Sequence, residues 1–77
     1  MASEREWGDR ARAALRAEMA RREVGYIELA ERLSRMGLPA TGKALSNKVG
    51  RGMFSAGFFC ACMTALGCKA INLETFE

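Results

Sequence analysis

Glycine and proline divide this sequence into four lengths, and each length carries apolar residues at helical spacing. Gly25, Gly37, Gly50, Gly52 and Gly67 close successive runs, with Pro39 just past the second. A chain cut this way can build helices only a few turns long, because glycine and proline both end the repeat of backbone hydrogen bonds. In the first run, residues 3–23, Trp7, Ala11, Leu15 and Met19 recur four apart and Ala14 joins them from the next turn. That spacing puts them on one face of a helix. Ser3 and Glu6 fit a capping box, Glu6–Arg10 and Glu18–Arg22 fit supporting pairs, and Gly25 fits the stop. Arg5, Arg12 and Arg16 fall on the outer face and read as a solvated stripe.

The second run, residues 26–36, turns Ile27, Leu29, Ala30 and Leu33 inward and ends at Gly37. Pro39 blocks continuation, and Thr41 is placed to cap a third helix over residues 41–50. At 100° per residue Leu45 and Val49 share one side of it, while Lys43, Ser46, Asn47 and Gly50 share the other. The fourth run, residues 55–66, begins at Ser55 and closes at Gly67. Phe58, Phe59, Cys62, Ala65 and Leu66 form its inner face, and Ala56, Cys60, Met63 and Thr64 an opposite face without charge. Beyond it Ile71 and Leu73 alternate with Asn72 and Glu74, which suits a short strand. The expectation is an all-α, four-helix single domain over residues 1–77, with a short C-terminal extension. Its expected core is Trp7, Leu15, Met19, Leu29, Leu33, Leu45, Val49, Phe58, Phe59 and Leu66.

Composition removes several function classes. Three cysteines without histidine cannot complete the usual four-ligand zinc site from one chain, and an odd count argues against a disulfide framework. Cys60, Cys62 and Cys68 therefore read as small buried hydrophobes. The commonest general base near neutral pH is missing, and neither a phosphate loop nor a spaced carboxylate pair is visible. An enzyme, a cofactor and a small-molecule ligand are not expected. The charged N-terminus has no apolar signal core and no run has the length and polarity of a membrane span, so the expected location is the cytoplasm.

Charge is distributed unevenly. Residues 1–31 hold six arginines against seven acids, residues 32–73 hold six cations and no acid, and the end adds Glu74 and Glu77. An acid-free block of that length is the footprint of a surface that meets phosphates. A basic amphipathic surface could also meet lipid, but the acids interleaved in the first helix disfavour it.

The series "LAERL…GLPATGKALSNKVGRG…FS…F…ALG" resembles the helix-turn-helix of the Cro and phage-repressor superfamily, over residues 26–67 with the motif at 26–52. Leu29, Ala30 and Leu33 stand where that family packs its first motif helix. Gly37 and Leu38 match its turn, Leu45 and Ser46 its recognition helix, Arg51-Gly52 the pair after it, and Leu66-Gly67 the close of the next helix. Ser34, Arg35 and Met36 are additional between leucine and turn, so the first motif helix is longer or the turn wider. "LSNKVGRGMFSAGFF…ALG" is also similar to a family of small bacterial domains of unassigned function with an RG-x-FS-x-x-FF core.

The resemblance implies a helix laid in the DNA major groove, which accepts slim or hydrogen-bonding outward residues. Lys43 and Asn47 are then placed for base edges, with Thr41, Gly42 and Ser46 completing the base-facing set, and Arg35, Lys48 and Arg51 for phosphates. One short motif covers few base pairs, so a homodimer is expected through Ala56, Cys60, Met63, Thr64, Ile71 and Leu73. The expected function is a small transcriptional regulator that binds double-stranded DNA. The alternative is a helix-turn-helix fold used for protein interaction, as an antitoxin-like or phage-derived inhibitor.

Overall fold

The computed structural model describes residues 3–71, and among them every regular element is a helix. The order is α1 (Glu4–Arg21), α2 (Tyr26–Arg35), α3 (Gly42–Arg51) and α4 (Ala56–Ala65). The all-α expectation holds, element by element. Of the suggested strand, Ile71 has no regular structure and Leu73 lies outside the described residues. None of the described helices is long and apolar enough to cross a membrane.

Local chemistry sets the ends. At the start of α1 the Ser3 hydroxyl accepts from the Glu6 N–H at 3.2 Å, and the Glu6 carboxylate accepts from the Ser3 N–H at 3.3 Å. The capping box is therefore complete. Glu6 is held there, and the Arg10 guanidinium lies 4.5 Å above the Trp7 ring instead of pairing with it. Glu18 binds both Arg22 and, at 2.8 Å, Arg21.

The stop of α1 differs from expectation. Glu23, not Gly25, takes the left-handed conformation, with φ 56°. Its N–H donates to Ala20 and that of Val24 to Met19, the paired bonds of a Schellman cap. Gly25 is extended and serves as the N-cap of α2. At the ends of α2 and α4 the same geometry is taken by Gly37 and Gly67, where it carries no Cβ penalty. Glu23→Gly should therefore stabilise the domain by about 0.5–1 kcal/mol, the strain relieved exceeding the entropy that glycine adds to the unfolded chain. Thermal melts should show a rise of about 2–6 °C. A fall would mean that the Glu23 side chain contributes more than its backbone loses.

Val24 joins a core made of Leu15 and Met19 from α1, Leu29, Ala30 and Leu33 from α2, Leu45 and Val49 from α3, and Cys62, Met63 and Leu66 at α4. α2 packs on both α3 and α4, and α1 packs on α4. Lying between two neighbours, α4 buries a wide arc: Cys62 and Met63, a full 100° apart, are both inside. Arg32 ties the far end by donating to the Ala65 carbonyl at 3.1 Å.

Four positions expected to be buried are corrected. Trp7 is 46% exposed, because α1 turns Gly8 rather than Trp7 toward its neighbour. Ile27 is 74% exposed. Tyr26, three residues before Leu29, falls on the buried stripe of α2 in its place, and its hydroxyl accepts from Arg16 at 3.4 Å. Phe58 and Phe59 are only partly buried and pack at the edge of the core, in ring contact with Phe54.

Candidate nucleic-acid interface

α3 is anchored by Leu45 and Val49, both fully enclosed, and this fixes which side faces out. Lys43, Asn47 and Arg51 then follow one another four apart along the exposed side. Ser46 flanks them on one edge and Lys48 on the other. Neither Ser46 nor Asn47 has its side chain in a hydrogen bond within the described residues, so their donors and acceptors are open to a ligand. Lys43, Arg51 and Arg35 are exposed, and none forms an ion pair among the described residues. The last turn of α3 holds Lys48 and Arg51, as the helix dipole favours, and its first turn carries no acid.

Three residues assigned to DNA are bound up in the fold. The Thr41 hydroxyl accepts from the Ala44 N–H at 3.1 Å and caps α3. Gly42 turns toward α2: a Cβ there would stand 2.9 Å from Ile27 Cγ1 and 3.2 Å from the Ile27 nitrogen. It lets the two helix starts approach closely. Lys48 is exposed, but its Nζ lies 4.4 Å over the Phe58 ring, a cation–π contact that holds the ammonium on the α4 side.

The C-terminal end of α3 is set by a joint that the charge pattern concealed. Gly52 is buried in the left-handed region, with φ 69°. A Cβ on Gly8 would stand 2.8 Å from the Gly52 carbonyl oxygen, so α1 and the arginine-glycine turn meet backbone to backbone. Beside this contact Arg12 donates to the Gly50 carbonyl at 2.8 Å and pairs with Asp9 at 3.2 Å. Arg12 and Arg16, expected to be solvated, are thus tethers between α1 and the rest of the molecule. The signal available in the sequence was Gly8, which costs a helix interior about 1 kcal/mol and so asks for a packing reason.

On α4, Ala56, Cys60 and Thr64 are exposed along one side, and Ile71 is exposed beyond the helix. The Thr64 hydroxyl donates to the Cys60 carbonyl at 2.8 Å. Met63 does not belong to this face. It is 4% exposed, enclosed because α1 and α2 cover α4 from two directions. Leu73 lies outside the described residues.

The cysteines have different surroundings. Cys60 is exposed and Cys62 is buried. Burial pushes the Cys62 thiol up to about 11, against a smaller downward pull from Lys48. Cys60 should therefore react with a thiol reagent in the native protein, while Cys62 should react only after denaturation, as mass spectrometry of labelled peptides would show. The raised value belongs to the folded state. It removes stability as pH climbs above 9.0, the thiol's ordinary value, where the unfolded thiol loses its proton first. Among the described residues no three Cys, Asp or Glu side chains gather into a metal-binding group.

A family model described as a domain of unknown function, DUF6471, matches residues 7–71. The chain belongs to the DUF6471 family. No curated protein and no solved structure matches it. The DUF6471 match takes in α2, α3 and α4 whole and α1 from Trp7 onward, so both sides of the Gly8–Gly52 joint lie within it.

Proposed function

We propose that this DUF6471 domain binds double-stranded DNA, with α2 and α3 acting as a helix-turn-helix, and serves as a small transcriptional regulator in the cytoplasm. The observation that carries this reading is the outward side of α3. Lys43, Asn47 and Arg51 stand exposed and unpaired there, inside a stretch of chain that contains no acid. Lys43 and Asn47 would meet base edges, lysine at guanine acceptors and asparagine at adenine. Arg35, Arg51 and the ammonium of Lys48 would meet phosphates. Ala56, Cys60 and Thr64 remain available for a homodimer, which would place two copies of α3 on neighbouring half-sites.

The test is fluorescence anisotropy on random duplex DNA as salt is varied. Three phosphate contacts per chain predict that log K falls with log salt at a slope of about −2.7. Lys48→Ala should flatten that slope by about one unit on any sequence. Asn47→Ala should cost about 1–3 kcal/mol on a preferred site and little on random DNA. Absence of binding at about 50 mM salt would overturn the proposal, since phosphate attraction is strongest there. The alternative, a protein-interaction role for the same fold, draws support from a groove beside α3.

A further inference from the structure

A groove of about 620 Å³ opens between α3, the first turns of α4 and the Leu38–Ala40 turn. Its volume falls within the range of about 300–1,000 Å³ found for sites that enclose a small ligand or an anchoring side-chain cluster. Leu33 and Leu45 make the floor, and Leu38 and Phe58 stand on the walls. Leu38 is 48% exposed beside this open apolar cleft. Phosphates do not suit that floor. Ser55, which also lines the groove, already accepts from the Phe58 N–H at 3.0 Å, and Lys48 is the one charged side chain among the lining residues.

We propose that this groove docks an acidic amphipathic helix supplied by another protein, apolar side chains down and carboxylates toward Lys48. Charge selects the sign. No acid is among the residues lining the groove, and the one charged side chain there, Lys48, is steadied at the edge by Phe58. Backbone chemistry selects a helix. The walls are helices and a turn with no open strand edge, and an extended peptide would find few backbone partners there. Gly57 and Ala61, four apart on α4, and Ala44 on α3 keep the sides low enough for a third helix to approach. A described helix of a second copy cannot be the occupant. The one with acids and a long apolar stripe, α1, has Leu15 and Met19 enclosed in its own core. The inference does not depend on α3 reading DNA.

The probe is a fluorescein-labelled synthetic helical peptide with Leu and Phe four apart on one face and glutamates on the flanks, paired with a twin in which lysine replaces every glutamate. Anisotropy should show saturable binding of the acidic peptide to the full chain, about tenfold or more tighter than its lysine twin. Lys48→Glu should reverse that preference. Gly57→Leu should abolish binding while leaving the melt unchanged or raised. A Cβ at Gly57 meets only Ser55 Oγ, at 3.8 Å, and leucine is the better helix former. Equal binding of the two peptides, retention by Gly57→Leu, or no binding at all overturns the proposal. So does binding that emerges only in a chain ending at Ile71, which would give the groove to the chain's own end. A dimer that Gly57→Leu dissociates, or duplex DNA that Gly57→Leu releases, would hand it to a second copy or to nucleic acid.

Discussion

Met63→Glu should leave this domain without a stable fold at room temperature. Met63 is 4% exposed in the core, on a helix covered by α1 on one side and α2 on the other. A carboxylate there has no cation beside it inside the core, since no polar or charged residue is buried among those described. Ionised, it costs several kcal/mol, and neutral it still forfeits methionine packing worth about 2–5 kcal/mol. A domain of this size holds only about 4–12 kcal/mol in total. Far-UV circular dichroism should show most helical signal lost at neutral pH, with partial recovery in mild acid where the carboxyl is protonated. If the variant melts cooperatively like the parent, α4 is not packed as described.

Gly8→Ala and Gly52→Ala should each destabilise the domain, although alanine is the better helix former at the first position. At Gly8 the new Cβ would stand 2.8 Å from a backbone oxygen, which cannot swing aside as a side chain can. The overpacking penalty of about 1–3 kcal/mol outweighs the gain of about 1 kcal/mol in helix propensity. At Gly52 the left-handed backbone adds about 1–2 kcal/mol for any residue with a Cβ, and the Asp9 carboxylate oxygen waits 3.2 Å away. Gly52→Ala is therefore expected to lose about 2–4 kcal/mol in urea melts. A stability gain in Gly8→Ala would show that α1 and the turn are not in backbone contact.

The sequence made the helices legible because their determinants are local. Ser3, Thr41 and Ser55 cap, Gly37 and Gly67 stop, and apolar spacing marks the buried stripes. The outward side of α3 was legible for the same reason, as Leu45 and Val49 fix it. What escaped depends on contacts between elements. Met63 looked peripheral because one helix by itself has one inner face, and only the arrival of both α1 and α2 widened it. Arg12 looked solvated because its acceptor is the carbonyl of Gly50, thirty-eight residues on. Glu23 took a conformation that sequence preference gives to the glycine two positions later.

The joint between α1 and the end of α3 is a point of contact rather than a packed face, and a point transmits position without fixing direction. Gly8 meets Gly52 at that point, and the Arg12 guanidinium braces it by reaching the Gly50 carbonyl. Direction comes instead from the packing of α3 on α2, with Leu45 and Val49 enclosed. The exposed side of α3 is thus aimed by the core beneath it and moored at its end by an arginine thirty-eight residues back along the chain.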